Sequence, residues 1–131
     1  MKTFDPVPPE VARVAKLIVD AAFHVHKELG PGLLESVYES CLAFELEHRG
    51  VKVERQVALP VIYKGVRLDA GLRLDMLIGN TVIVELKAVE TMLPLFDAQL
   101  LTYLKLTAQR LGLLINFNVP LIKDGIKRIV L

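Results

Sequence analysis

Apolar residues recur at three- and four-residue steps from Glu10 to about Leu29, through Val11, Val14, Ile18, Ala21, Val25 and Leu29. That period matches one face of an α-helix, so the segment is expected to be amphipathic and helical. "PVPPE" (6–10) reads as an extended lead-in with Pro9 near the first turn. "GPG" (30–32) ends the helix, because glycine suits its C-terminal cap and proline cannot continue it. A second helix is expected from about Leu33 to Arg49, closed by Gly50. Its apolar stripe reads Leu34, Val37, Tyr38, Cys41 and Leu42, with Glu35 at the rim and Glu45 nearer the middle, where it needs a partner.

The middle of the chain changes period. "KVERQVAL" and "VIYKGVRL" are rich in β-branched and aromatic residues, with Lys64-Gly65 as a turn signal. "LRLDMLI" and "TVIVELKA" follow, joined by Gly79-Asn80. "FDAQLLTYLKLTAQRL" (96–111) reads as a helix with Leu100, Leu104 and Leu111 on one face. "LGLLINF" (111–117) and "IKRIVL" (126–131) read as the closing strands. The order helix, helix, four strands, helix, two strands predicts an α/β (α+β) fold with a mixed central β-sheet flanked by helices. At 131 residues, a single domain over 1–131 is expected.

Composition narrows the function. The chain is 53% apolar, with mean hydropathy +0.44. Even so, no apolar run approaches the roughly 18 residues of a membrane span, and "MKTFDPVPPE" lacks the apolar core of a signal peptide. A cytoplasmic protein with no membrane partner is expected. The single cysteine, Cys41, excludes an internal disulfide and any site built from several thiolates, and it reads as a buried thiol. Sixteen basic against fifteen acidic residues is no global footprint for coating nucleic acid, so any such contact must be local or carry metal. His24 and His26 lack a ligand partner at helical spacing and read as surface or interface residues. His48 suits the end of the second helix.

One strand carries chemistry inside an apolar pattern. In "TVIVELKAVE" (81–90), Val82, Val84, Leu86 and Ala88 form an apolar core face, while Thr81, Ile83, Glu85 and Lys87 share the other. Asp75 in the preceding strand is a candidate neighbour. A two-residue loop at Gly79-Asn80 would turn Asp75 to the core face. A three-residue loop pairing Ile78 with Val82 would set it opposite Glu85. If the acids form a site, the loop must be odd or bulged. Two carboxylates so close need a cation or a proton between them. A hard ion such as Mg²⁺ suits oxygen ligands and can activate water against a phosphodiester. Lys87 could orient that water or stabilise charge on the phosphate.

"RLD" (73–75), "VELK" (84–87) and "AQLLTYLK" (98–105) together resemble the PD-(D/E)XK nuclease superfamily. "GLLESVY" (32–38) resembles the G-x-x-E-x-x-Y signature of one uncharacterised branch, the GxxExxY protein family, as do "GLLINF" and "KRIVL". The likeness runs over roughly residues 25 to 131. It implies a restriction-endonuclease-like core and a metal site of Asp75, Glu85 and the Leu86 carbonyl, holding Mg²⁺ or Mn²⁺. It also implies Lys87 as catalytic lysine, Glu35 as the helix acid that holds metal or its waters, and Gln99 with Tyr103 as a Q-x-x-x-Y motif beside substrate or phosphate. Tyr38, one turn after Glu35, is expected to pack beside the site. Leu74 stands where many members carry proline, but proline is not a ligand.

These readings point to a small metal-dependent nuclease acting on nucleic acid, with DNA the expected substrate and junction-resolving relatives suggesting a homodimer. The apolar stripe of the first helix is the expected interface. The alternative is a catalytically inactive nucleic-acid- or protein-binding module on the same fold.

Overall fold

The computed structural model describes residues 6–131. Residues 1–5, part of the stretch read as lacking a signal-peptide core, lie outside it. The first helix, α1, spans Pro9–Leu29 and the second, α2, spans Glu35–His48. Strands β1 (Val53–Tyr63), β2 (Val66–Ile78) and β3 (Val82–Lys87) follow, then α3 (Pro94–Thr107) and β4 (Leu111–Asn116). A 3₁₀ turn at Ile122–Gly125 leads into β5 (Ile126–Val130). No helix among the described residues is long and apolar enough to cross a membrane.

The five strands lie in chain order, β1-β2-β3-β4-β5. All pairs are antiparallel except β3 with β4, which run parallel because α3 carries the chain back between them. The sheet is therefore mixed and flanked by helices, as expected.

Both faces of its centre are covered. Val82, Val84 and Leu86 of β3 and Leu111, Leu113 and Ile115 of β4 pack with Val14, Ile18, Ala21 and Val25 of α1 and Tyr38, Leu42 and Leu46 of α2. On the reverse face, Ile83 and Leu114 meet Leu100, Tyr103 and Leu104 of α3. The face shared by Glu85 and Lys87 is thus buried under α3, which is why "IVELK" and "LGLLIN" read as nearly continuous apolar runs.

The structure corrects several expectations. Four strands predicted in the middle are three, because Pro60 and Gly71 do not end strands. A shift of register between Leu59 and Val61 absorbs Pro60 on an edge strand, and Gly71 takes φ 77 within β2. Lys64-Gly65 does turn the chain, with both residues left-handed (φ 50 and 77), the backbone of a tight hairpin. α3 ends at Thr107 rather than Leu111, since Ala108 caps it at φ 57. Leu111 therefore belongs to β4 and faces α1 and α2, opposite Leu100 and Leu104.

The buried face of α2 runs through Tyr38, Glu39, Leu42, Ala43 and Leu46, whereas Leu34 and Val37 are exposed. The helix is turned so that Glu39 meets Arg55 and Gln56, a pairing no local pattern encodes. The stripe of α1 is consumed by the chain's own core and is not a free interface. His26 is likewise buried, its Nε2 2.7 Å from the Val119 carbonyl oxygen. Cys41 is half-buried, and Glu45 has the partner it needed in Arg49, 4.0 Å away.

A tight approach behind the site gives a first prediction. A Cβ on Gly125 would overlap the Asn116 carbonyl oxygen, a backbone atom that cannot rotate away. Gly125→Ala should cost about 2–4 kcal/mol, visible as a lower midpoint in urea unfolding. An unchanged midpoint would mean that the turn relaxes freely.

Candidate active site

β2 and β3 pair as Ile78–Val82, Leu77–Ile83 and Met76–Val84 across a three-residue loop. This is the odd loop that the two acids required, with Gly79 and Asn80 both left-handed. The pairs end at Met76–Val84. Beyond them the Asp75 amide donates to Glu85 Oε2 at 2.8 Å, and the Leu86 amide donates to Asp75 Oδ2 at 2.8 Å. Each strand thus lends a carboxylate to the other's backbone where strand-to-strand pairing has lapsed. The β1 side breaks at the same level. Pairs pass from Arg55–Met76 to Val57–Leu74, leaving Gln56 opposite Asp75 in the left-handed region, φ 51. A non-glycine residue there is uncommon and costs backbone strain.

The result is a cavity of about 220 Å³ lined by Glu35, Ser36, Glu39, Gln56, Asp75 and Leu86. Glu35 begins α2 at its mouth, where the helix N-terminus favours negative charge. Glu85 is buried, 6% exposed. Burial and the neighbouring Asp75 carboxylate push its pKa up to about 8. Asp75 is also raised, chiefly by burial, against the Leu86 amide that favours its charged form. Glu35 is raised by partial desolvation and by the charge of Asp75. Lys87 opposes the rise at all three acids, so its charge faces the cluster. Its ammonium lies 4.4 Å from the centre of the Phe96 ring, at the start of α3. No carboxylate among the described residues comes within ion-pair distance of it.

Sequence-expected residues thus converge from four elements: Glu35 from α2, Asp75 from β2, Glu85, Leu86 and Lys87 from β3, and Tyr103 from α3. The Tyr103 phenol is raised by burial and by the charges of Glu85 and Asp75, and lowered by Gln99 one turn away. Tyr103 of the Q-x-x-x-Y pattern is therefore near enough to feel the acids, while Gln99, one turn before it, is exposed. Tyr38 does not reach them. Its hydroxyl donates to the Gly30 carbonyl at 2.6 Å and accepts from the Leu33 amide at 3.1 Å, and its ring stacks on Phe117. It enters the site only by fixing the turn before Glu35. Gly32 in that turn holds φ 97, so the glycine and the tyrosine of "GLLESVY" both shape the turn that leads into Glu35.

Other site residues had little sequence signal. Glu39, 8% exposed, accepts from Arg55 at 3.0 Å and from Gln56 at 2.7 Å. Its place four residues after Glu35 on the same helical side could have raised it. Nothing local singles out Gln56, Arg55 or Phe96. Asn116, pairing in register with Lys87, is buried and ties down Val89 through both its amide and carbonyl.

Among the described residues, no three His, Cys, Asp or Glu side chains form a ready-made metal cage. The donors still fit a hard divalent ion. The half-buried Asp75 carboxyl and the buried Glu85 carboxyl are both raised in pKa, and a proton or a cation between them relieves their repulsion. A protein-family model for the PD-(D/E)XK nuclease superfamily matches residues 12–129. Neither the curated proteins nor the solved structures compared with the chain gave a match.

Proposed function

The chain belongs to the PD-(D/E)XK nuclease superfamily, and from that premise we propose that it is a divalent-metal-dependent nuclease cutting DNA phosphodiesters. The observation that carries this reading is the reciprocal bonding of Asp75 and Glu85 to each other's strands. It fixes a half-buried and a buried carboxyl side by side, at a cost in charge repulsion that an ion would relieve. Asp75, Glu85 and the Leu86 carbonyl would hold Mg²⁺ or Mn²⁺, with Glu35 holding its waters. An ion bound there supplies Lewis acidity and a more acidic water. Lys87 places positive charge where the phosphate would carry developing negative charge. Gln99 and Tyr103 line the approach to the scissile group, and Tyr38 sets the position of Glu35. The tasks found for Gly32 and Tyr38, with Glu35 at the mouth of the cavity, support placing the chain in the GxxExxY branch.

The near-neutral charge of the chain favours a second reading, a nucleic-acid-binding module without turnover. Calorimetric titration with Mn²⁺ tests the site first. Wild type should bind stoichiometrically and release protons, so the measured heat should vary with the buffer's ionisation enthalpy. Asp75→Asn with Glu85→Gln should bind nothing. Equal binding by both proteins would remove the acids from the metal site.

A further inference from the structure

The β1–β2 hairpin does not stop where the sheet does. β3 accompanies β2 only along Met76–Ile78, so the ribbon beyond has no third strand. Its base is anchored by Leu59 and Leu74 against α3. Past the register shift at Pro60, every described side chain from Val61 to Gly71 is half-buried or exposed. Cross-strand pairing sets Val61 opposite Leu68 and Tyr63 opposite Val66 on one face, with Ile62 opposite Arg67 on the other. Tyr63 is 61% exposed and Val66 57%. Large apolar groups so exposed on an unsupported ribbon mark a contact surface.

Charge says what the ribbon meets. Residues 57–74 carry Lys64, Arg67 and Arg73 against one carboxylate, Asp69, whereas the whole chain is almost balanced. Lys64 sits at the turn, Arg67 along the side in an exposed pair with Asp69 at 3.3 Å, and Arg73 at the base, where it donates to the Gln56 carbonyl. At about 3.3 Å per residue, the nine steps from Asp75 to Val66 span up to roughly 30 Å, close to one turn of B-form duplex. A two-stranded ribbon fits the major groove of B-form DNA, while the deep, narrow major groove of A-form RNA excludes it.

We propose that residues 60–73 form an arm that grips a groove of B-form DNA within about one helical turn of the scissile phosphate. In this arrangement Lys64, Arg67 and Arg73 contact phosphates while Tyr63, Val66 and Leu68 pack on sugars and base edges. The inference rests on the reading of the Asp75–Glu85 cleft as the cleavage site.

Fluorescence anisotropy on a labelled duplex of about two helical turns, with Ca²⁺ present, tests it. Tyr63→Ala with Lys64→Ala and Arg67→Ala should weaken DNA binding at least about tenfold. The dependence of log Kd on log salt should become shallower by about two. Lys16→Ala with Lys27→Ala, an equal loss of charge on α1, should leave both nearly unchanged, and duplex RNA should bind more weakly than DNA. Matching thermal midpoints establish that the arm variant is folded. Equal DNA binding by the arm variant, equal weakening by the α1 variant, or no duplex binding by wild type would each overturn the arm. So would a wild-type dimer that the arm variant turns monomeric while DNA binding persists, since the ribbon would then pair copies of the chain. Hydrolysis of bis(p-nitrophenyl) phosphate by wild type, a substrate too small to reach the ribbon, reports on the acids separately. The arm can therefore fail while the cleavage site stands, and the reverse.

Discussion

Lys87→Ala should lower DNA cleavage by about 10²–10³-fold while leaving Mn²⁺ binding within about twofold of wild type. The split follows from position. Lys87 shares the strand face of Glu85, and its charge is felt by Glu35, Asp75 and Glu85, yet it occupies no ligand position. Its ammonium rests over the Phe96 ring instead of pairing with a carboxylate, which leaves it available to a phosphate. Lys87→Met, which keeps most of the apolar stem against Phe96, should be as inactive as alanine if charge is what matters. Single-turnover rates at saturating Mn²⁺ measure the effect directly. Full activity in both variants would remove Lys87 from the chemistry, and an absence of cleavage in wild type would favour the binding module.

A second large effect concerns stability and requires no substrate. With the ion chelated, the protein should lose on the order of 4 kcal/mol of stability between pH 5 and pH 9 through Glu85 alone. The Glu85 carboxyl rises from its ordinary 4.5 to about 8 in the folded protein, first through burial and then through Asp75. Because the folded value is the higher one, this stabilisation is complete below about pH 4.5 and disappears as pH passes through about 8. Asp75 and Glu35 are shifted in the same direction and add to the slope. In a chain of this size the thermal midpoint should fall by about 10 °C or more over that range. Glu85→Gln, neutral at every pH, should flatten most of the slope and melt above wild type at pH 9. Mn²⁺ at pH 8 should restore wild type and not the variant. Parallel pH profiles for the two proteins would show that Glu85 is not buried as a charged liability.

Such a liability is the physical mark of a site. A fold selected only for stability would place an apolar residue beside Leu74 and Ile83, where burial of a carboxylate opposes folding. Glu85 and Asp75 are tolerated there because each accepts a backbone amide that the splayed strands would otherwise leave unpaired. The same bonds fix the carboxyl oxygens. Rigid placement of ligands and strain at Gln56 are therefore parts of one local departure from sheet geometry.

The pattern of apolar positions by itself determined the three helices, the β-rich middle and the mixed, helix-flanked sheet. Periodicity reflects which side faces the core, and that preference is local enough to read. The demand that Asp75 face Glu85 even narrowed the turn to an odd loop or a bulge, since one residue of slip flips every side chain. Tertiary structure alone decided the rest. Whether Pro60 and Gly71 end strands depends on an unpaired edge that no window of sequence contains. The rotation of α2 depends on Glu39 meeting Arg55 and Gln56, partners sixteen and seventeen residues away. Tyr38 binds the turn behind it instead of the acids beside it. The burial that raises Glu85 arises only when α3 closes over the second face of β3. Each of these is set by which groups the packed core leaves without water, and that is a property of the assembled chain.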